Sequence, residues 1–266
     1  MAKILNVSKS GFYAYLNRPK SKRKIENDEL LDKIKAIHKR SHGIYGYPRI
    51  TKELEMDGAP SKNRVYRLMR LNGIKSKTVR KYKATTNSNH NLPVAENILN
   101  REFSAAKPNQ KWVSDITYIS TDEGWLYLAG VMDLCGRPIV GFAMDDHMRK
   151  SLVIKALNQA IGRTGATIGL LVHSDRGVQY ASNDYQDILR KNGIICSMSR
   201  KGNCYDNAPM ESFWGKLKQE WLYGRRFKTR TEAKLAVFEY IEVFYNRQRI
   251  HSSIGYRVPM DALKEV

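Results

Sequence analysis

The sequence has 266 residues, of which 42% are hydrophobic and 27% charged, a composition typical of a globular protein whose core needs no disulfides. No apolar run approaches the roughly 20 residues of a membrane span, and residues 1–10 are too polar for a secretory signal. The three cysteines form no Cys-x-x-Cys pair, so we expect a reducing, cytoplasmic location. An excess of 46 Lys and Arg over 26 Asp and Glu gives a net charge of +20, which indicates a polyanionic partner.

The positive charge is concentrated in the first part of the chain. Residues 1–108 hold 24 basic and 9 acidic side chains, a net of +15, whereas residues 109–266 hold 22 and 17, a net of +5. This asymmetry predicts a helical region over 1–74, a basic linker over 75–107 and a larger domain over 108–266.

Apolar spacing and capping residues predict three helices in the first region. The first helix is capped by Asn27 and ends near Arg40, the second runs over 48–56 with a proline in its first turn, and the third follows Ser61. A short helix is also expected over 8–16. The second and third helices form a helix-turn-helix candidate.

Three arginines mark the third of these helices. Arg64, Arg67 and Arg70 are spaced by three and share a face opposite Val65 and Leu68, where phosphates or base edges can be met. The alternative is an ordinary solvated helix face.

The helical periodicity ends near residue 75, and a basic stretch follows over 75–110, with a short helix expected over 95–103. Strand-like segments begin at residue 111. Three β-rich segments separated by turns predict an antiparallel meander, and helices and strands alternate after it. We therefore expect a mixed α/β sheet covered by helices. The predicted strands are 111–120, 125–134, 138–144, 168–172 and 194–198, and the predicted helices are 151–161, 183–192, 208–221 and 231–245.

Three carboxylates stand at unusual places in this pattern. Asp115 lies inside an apolar and aromatic strand, where an unpaired carboxylate is costly, and Asp175 follows the buried strand 168–172, where ligand sites tend to open. Glu211 lies in the first turn of a helix. Carboxylates from three elements can converge as oxygen ligands of Mg²⁺ or Mn²⁺, and two such ions about 4 Å apart support displacement at a phosphodiester.

Competing interpretations of these residues remain open at this point. The three acids can be surface or capping carboxylates, and Asp133 also follows an apolar strand, although we assign it to a turn or a hydrogen bond. No Cys-x-x-Cys completes a zinc site with His38 and His42, no nucleotide-binding glycine motif occurs, and His173 and Ser174 lack a nucleophile elbow.

Several strings of the sequence resemble one known family. They are residues 112–119, HSDRGVQY at 173–180, SMSRKGNCYDNAPME at 197–211, FYNR at 244–247 and HSSIGY at 251–256. These strings resemble the catalytic signature of insertion-sequence transposases of the two-reading-frame, OrfB kind, which belong to the retroviral-integrase-like group. Thirty-five residues separate Asp175 from Glu211, as in that family, and residues 45–50 and 63–69 resemble its helix-turn-helix segment.

The resemblance implies a ribonuclease-H-like mixed sheet flanked by helices over 108–266, preceded by the small helix-turn-helix region. It implies that Asp115, Asp175 and Glu211 are catalytic and bind two Mg²⁺ ions, with Mn²⁺ as an alternative, and it suggests no other cofactor. Lys218 would contact DNA near the site, and the loop from 200 would flank the substrate. The expected DNA contacts are Lys218, Arg64, Arg67, Arg70, Arg200 and Lys201.

The implied activity is that of a DNA transposase, which cleaves element ends at terminal inverted repeats and joins them to target DNA as a homo-oligomer on the nucleoid. In that family an upstream reading frame supplies a further helix-turn-helix and a leucine zipper. Residues 1–100 lack a sustained heptad pattern, so we expect the upstream-frame product as a fusion or partner. Two alternatives are an inactive or truncated DNA-binding regulator and a ribonuclease H, the latter disfavoured by the basic first region.

Overall fold

The computed structural model describes residues 8–55, 58, 60–77, 94–165, 168–201 and 203–264. The chain divides into two compact units, Met1–Lys77 and Thr78–Val266. Most of the basic linker predicted over 75–107 lies outside the described residues. Across the described ranges, no helix is both long enough and apolar enough to cross a membrane.

The first unit is helical, as the sequence predicts. Its helices are α1 (Lys9–Leu16), α2 (Lys22–Arg40), α3 (Tyr47–Leu54) and α4 (Lys62–Leu71). Helices α2, α3 and α4 contact one another through buried apolar side chains that include Ile34, Ile50 and Val65. Ser61 caps α4 as predicted, because its hydroxyl accepts the N–H of Arg64.

The predicted start of the first long helix at Asn27 is wrong. Helix α2 begins at Lys22, and its cap is Ser21, whose hydroxyl accepts the N–H of Lys24. The first turn of α2 is almost entirely charged, so it carries no apolar periodicity that would reveal it. Asn27 instead accepts a hydrogen bond from Arg64 Nε at 2.8 Å.

A five-stranded mixed sheet forms the centre of the second unit, in the order β3-β2-β1-β4-β5. The strands are β1 (Lys111–Thr121), β2 (Gly124–Asp133), β3 (Ile139–Asp145), β4 (Leu171–Ser174) and β5 (Ile195–Met198). Strands β1, β2 and β3 form the predicted antiparallel meander, and β4 and β5 extend it with parallel pairing. The structure therefore has the α/β architecture that the sequence predicts.

Helices cover both faces of this sheet. They are α5 (Lys150–Thr164), α6 (Asn183–Lys191), α7 (Ala208–Leu217), α8 (Arg230–Phe238) and α9 (Pro259–Lys264), with π-helical turns Lys218–Leu222 and Glu239–Tyr245 continuing α7 and α8. Val131 packs in the core with α5, whereas its neighbour Gly130 faces Trp214 of α7. Because successive residues of a strand point to opposite faces, α5 and α7 lie on opposite sides.

Two predicted elements differ from the structure. The strand predicted over 168–172 begins three residues later, because Gly169 adopts a positive φ of 91° in a turn and leaves Ile168 88% exposed. No helix forms over 95–103. The N–H groups of Ile98 and Leu99 donate to Ser197 Oγ, and Glu96 accepts from the backbone of β5, so these residues lie beside that strand.

Candidate active site

The parallel pairing of β1 with β4 sets two of the predicted carboxylates side by side. Val113 of β1 pairs with His173 of β4. Asp115 lies two residues further along β1, and Asp175 lies two residues after His173, directly beyond the end of β4. Because the two strands are parallel neighbours about 4.8 Å apart, both aspartates lie near the same edge of the sheet. Glu211 lies in the first turn of α7, which contacts β1. The structure thus brings together the three residues that the sequence singles out.

Burial and neighbouring negative charge both act on the carboxylates of the triad. Burial raises the pKa of the Asp115 carboxyl well above its usual range, and the charges of Asp175 and then Glu211 raise it further. Burial also raises the pKa of Glu211. Mutual repulsion of this kind is relieved when a cation binds between the oxygens.

A second group of potential metal ligands lies at the end of β3, apart from the triad. Within the described ranges, a single group of three metal-ligating side chains has all its ligand atoms within 4.8 Å of one another, and it consists of Asp145, Asp146 and His147.

Trp214 orients Asp115, a role that sequence reasoning missed. Its indole Nε1 donates to Asp115 Oδ2 at 3.0 Å. Gly130 is the cross-strand partner of Asp115, and a Cβ added there would lie 2.8 Å from Cη2 of Trp214. A glycine inside a strand often marks such a close approach, and this was the available signal.

The loop after β4 fixes Asp175. Its Oδ1 accepts the N–H of Gly177 at 2.9 Å, and Ser174 Oγ donates to its carbonyl oxygen. A Cβ at Gly177 would lie only 3.0 Å from Asp175 Oδ1. The glycine therefore allows the backbone to come close enough to hold the carboxylate.

His173 is a buried structural group beneath this loop. Ser197 Oγ accepts the N–H groups of Ile98 and Leu99, so its own hydrogen is directed at His173 Nδ1, 2.8 Å away. The other ring nitrogen then carries the hydrogen and donates to Ser199 Oγ at 3.1 Å. Burial lowers the pKa of His173 to about 4, so the ring is neutral at pH 7.

Asp206 organises the loop that follows β5. Its side chain is fully buried and accepts hydrogen bonds from Arg200, Arg101 and Asn97. The Arg200 hydrogen bond is the largest influence that holds the pKa of Asp206 well below its usual range. Arg200, an expected DNA contact, is thus tied to Asp206 and remains 49% exposed, while Lys201 is exposed.

Lys218 differs from the exposed lysine that an ordinary helix would present. It begins the π-helical turn after α7 and is only 6% exposed. Its Nζ lies 5.1 Å from the centre of the Tyr118 ring. Burial lowers the pKa of Lys218 to about 8, and Asp115 opposes that shift. The ammonium group therefore lies within the electrostatic reach of the triad.

Asp133 has the hydrogen-bonding role assigned to it. Its side chain is buried and accepts from the backbone of Asn109 and Cys135 and from the indole of Trp112. These contacts hold the start of β1 against the end of β2. Asp133 therefore has a structural role and is not a competing candidate for the triad.

In the first unit the three predicted arginines have different surroundings. Arg64 donates to Asn27 at 2.8 Å and to Glu26 at 3.4 Å, both on α2. Arg67 and Arg70 are exposed on α4. Of the three arginines, Arg64 makes a structural contact with α2, whereas Arg67 and Arg70 are accessible to solvent.

Models of known families match most of the chain. Residues 105–204 and 192–259 match models described as Integrase core domain, and residues 26–82 match one described as HTH-like domain. The chain is 49% identical over 256 residues to the Insertion element IS600 uncharacterized 31 kDa protein of Shigella sonnei, covering 96% of this chain and 94% of that one. It is 42% identical over 258 residues to Transposase InsF for insertion sequence IS3A of Escherichia coli (strain K12), covering 96% and 90%.

A solved structure shares the fold at low identity. It is the simian T-cell lymphotropic virus intasome in complex with PP2A regulatory subunit B56 gamma, with a TM-score of 0.51 and 17% identity. The likeness covers 86% of this chain and 73% of that chain. At this identity the likeness concerns the fold alone, and it agrees with the predicted ribonuclease-H-like mixed sheet.

Proposed function

This chain belongs to the IS3-type, OrfB-like family of insertion-sequence transposases, and on that premise we propose that it cleaves DNA at element ends and joins those ends to target DNA. Its integrase core and helix-turn-helix-like domains imply DNA binding and polynucleotidyl transfer. The observation that carries the proposal is the convergence of Asp115 from β1, Asp175 from the loop after β4 and Glu211 from α7.

We propose that these carboxylates bind two Mg²⁺ ions, with Mn²⁺ as an alternative. The donor set fits, because all three side chains offer hard oxygen ligands and their mutual repulsion favours a cation. When bound, such ions activate an attacking oxygen and stabilise the leaving one during in-line displacement.

The other residues of the site would keep the carboxylates in place. Trp214 holds Asp115 through its indole N–H, and Gly177 holds Asp175 through its backbone N–H. Glu211 projects from the first turn of α7, where the helix dipole favours its negative charge.

Cleavage and joining would use this one site. Water breaks a phosphodiester and leaves a 3′-hydroxyl, and that hydroxyl then attacks a second phosphodiester. Both steps form one phosphorus–oxygen bond and break another, so they differ only in the nucleophile.

The proposed partners follow from this chemistry. The first unit would hold double-stranded DNA at the terminal inverted repeats, with Arg67 and Arg70 as phosphate contacts. Lys201 and Lys218 would contact DNA near the triad. Joining two ends to a target usually involves at least two copies of the chain, so we propose a homo-oligomer on DNA, with the upstream-frame product as a fusion or partner. Its place of action would be the nucleoid in the cytoplasm.

Replacing Glu211 tests the proposal. We expect Glu211→Gln to abolish Mg²⁺-dependent cleavage of end-containing DNA, measured on denaturing gels, while retention of the DNA persists. The matched control is Asp146→Asn, which changes an exposed acid of the separate Asp145 cluster and should leave cleavage intact. Undiminished cleavage by Glu211→Gln would contradict the assignment.

A strand-transfer assay separates the transposase from the alternatives. The purified chain, alone or fused to the upstream-frame product, is incubated with Mg²⁺ and end-containing DNA. If both proteins retain the DNA but neither cleaves nor joins it, the chain is a regulator. A parallel incubation with an RNA–DNA hybrid tests the other alternative, because preferential cleavage of the hybrid would indicate a ribonuclease H.

A further inference from the structure

A small pocket lies at the end of the β1–β2 hairpin. Its volume is about 250 Å³, and it is lined mainly by apolar and aromatic groups together with two cationic side chains. The lining includes Tyr118, Trp125, Lys218, Tyr223, Arg225 and Phe227.

The pocket keeps aromatic faces accessible in one place. Trp125 is 50% exposed and Tyr223 is 38% exposed, although both are large apolar side chains. The rings of Trp125 and Tyr118 meet edge to face with their centres 5.0 Å apart, which fixes their orientation. Exposed and oriented aromatic rings are the groups on which nucleic-acid bases stack.

The charge of the pocket is complementary to a phosphodiester chain. The Lys218 ammonium lies over Tyr118, and the Arg225 guanidinium lies 5.0 Å from the centre of the Trp221 ring. Cations resting on aromatic rings at a pocket wall can meet a phosphate while a base occupies the pocket.

Lys218 connects the pocket with the triad. Tyr118 follows Asp115 by three residues along β1, so the two side chains leave opposite faces of the strand. The Lys218 Nζ nevertheless lies 5.1 Å from the centre of the Tyr118 ring. Lys218 belongs to the pocket and is close enough to Asp115 for that carboxylate to raise the pKa of its ammonium group. A nucleotide in the pocket would therefore be a near neighbour of the phosphodiester at the triad.

We propose that this pocket binds one unpaired base of the DNA strand that reacts at the triad, with the adjoining phosphate held by Lys218 and Arg225. A base inside a duplex can enter the pocket only after it leaves the stack, because its two faces are covered by its neighbours. This inference rests on the proposed function, since it assigns the pocket to the same DNA substrate.

Binding of two DNA probes by the full chain tests the pocket. The probes are a short blunt duplex and the same duplex with a single-stranded 3′ overhang, each labelled for fluorescence anisotropy. We expect Trp125→Ala and Tyr223→Ala each to weaken binding of the overhang probe about tenfold, because one stacked base is lost. Binding of the blunt probe should remain unchanged.

Matched variants exclude effects of misfolding. Trp125→Phe and Tyr223→Phe retain a ring and should keep most of the overhang preference. Phe238→Ala removes a ring that is 49% exposed on α8, outside the pocket, and should change neither affinity. Thermal melting of each variant shows whether it is folded.

The outcomes separate this inference from the proposed function. Equal losses on both probes, or no loss on either, overturn the base pocket even if the wild-type chain cleaves DNA with Mg²⁺. Absence of any wild-type cleavage instead contradicts the proposed function, while the difference between the two probes still decides whether the pocket holds an unpaired base.

Discussion

Asp206 shows at the residue scale how one buried carboxylate holds a loop beside the triad. Arg200 reaches it with Nε, Nη2 and its backbone N–H, and Arg101 and Asn97 complete its contacts. Its side chain has no exposed surface. Removing the charge therefore leaves two guanidinium groups without their shared partner.

We expect Asp206→Asn to lower the free energy of unfolding by about 3 kcal/mol at pH 7, because breaking a buried ion pair is costly. The folded pKa of Asp206 is below its unfolded value, so its stabilisation is present above about pH 4 and is lost as the pH falls further. Urea unfolding at pH 7 and pH 3 measures both effects. The gap between wild type and variant should narrow at pH 3, and Asp187→Asn, in an exposed ion pair with Arg190, should cost little at either pH.

Trp214 carries a second prediction at the scale of one side chain. Trp214→Phe removes the N–H that favours ionised Asp115, so the pKa of Asp115 should rise further. We expect the Mg²⁺ concentration needed for half-maximal cleavage to increase about tenfold, as is usual when a group that orients a metal ligand is lost.

A matched indole lies outside the triad. Trp112 Nε1 donates to the buried carboxylate of Asp133, and Trp112→Phe should lower stability without changing the Mg²⁺ requirement. An unchanged requirement in Trp214→Phe as well would show that the Asp115 carboxylate is positioned without the indole.

At the scale of elements, local patterns predicted most of the sheet. Strands β1, β2 and β3 were predictable because apolar alternation and short turns are local signals. The start of β4 was predicted three residues too early, because Ile168 belongs to the same apolar run in the sequence. Ile168 lies outside the strand because Gly169 forms a turn with a positive φ, which the apolar pattern does not reveal.

The rest of the candidate site depends on contacts between distant residues. The hydrogen bond from Trp214 to Asp115 spans 99 residues, and that from Leu99 to Ser197 spans 98. No periodicity reports contacts of this kind. Gly130 signals a close approach to its strand, but neither its partner Trp214 nor the course of residues 95–103 could be predicted. The three carboxylates were found because strand and helix ends are visible locally and because their strings resemble a family.

Packing of α5 on the sheet depends on Gly141 in β3. A Cβ there would lie 2.3 Å from the carbonyl oxygen of Ala156 and 2.7 Å from Cβ of Ala160, both on α5. We expect Gly141→Ala to lower the free energy of unfolding by about 3 kcal/mol, because the helix must move away from the sheet.

Replacing Gly162 of α5 by alanine should have the opposite effect on stability. A Cβ there meets nothing within 4 Å, so Gly162→Ala should raise stability by about 1 kcal/mol through helix propensity. Urea unfolding measures both variants. Equal effects of the two substitutions would show that the close approach at Gly141 does not limit packing.

At the scale of the whole molecule, the uneven distribution of charge suggests that DNA binding and cleavage are carried by different parts of the chain. The net +15 of residues 1–108 suits repeated phosphate contacts, whereas the net +5 of residues 109–266 includes the acidic triad. The triad repels phosphate until cations neutralise it. Binding strength and cleavage should therefore respond to different ions, the first to monovalent salt and the second to Mg²⁺.

The salt dependence of DNA binding tests this division. Each phosphate contact adds about 0.9 to the slope of log affinity against log salt, so Arg67→Gln and Arg70→Gln should each reduce that slope by about 0.9. Arg64→Gln should reduce the slope less, because its guanidinium already donates to Asn27 and Glu26. Anisotropy titrations of a duplex over a series of KCl concentrations measure the slopes. Equal slopes for wild type and the Arg67 and Arg70 variants would place the phosphate contacts on other residues than the exposed face of α4.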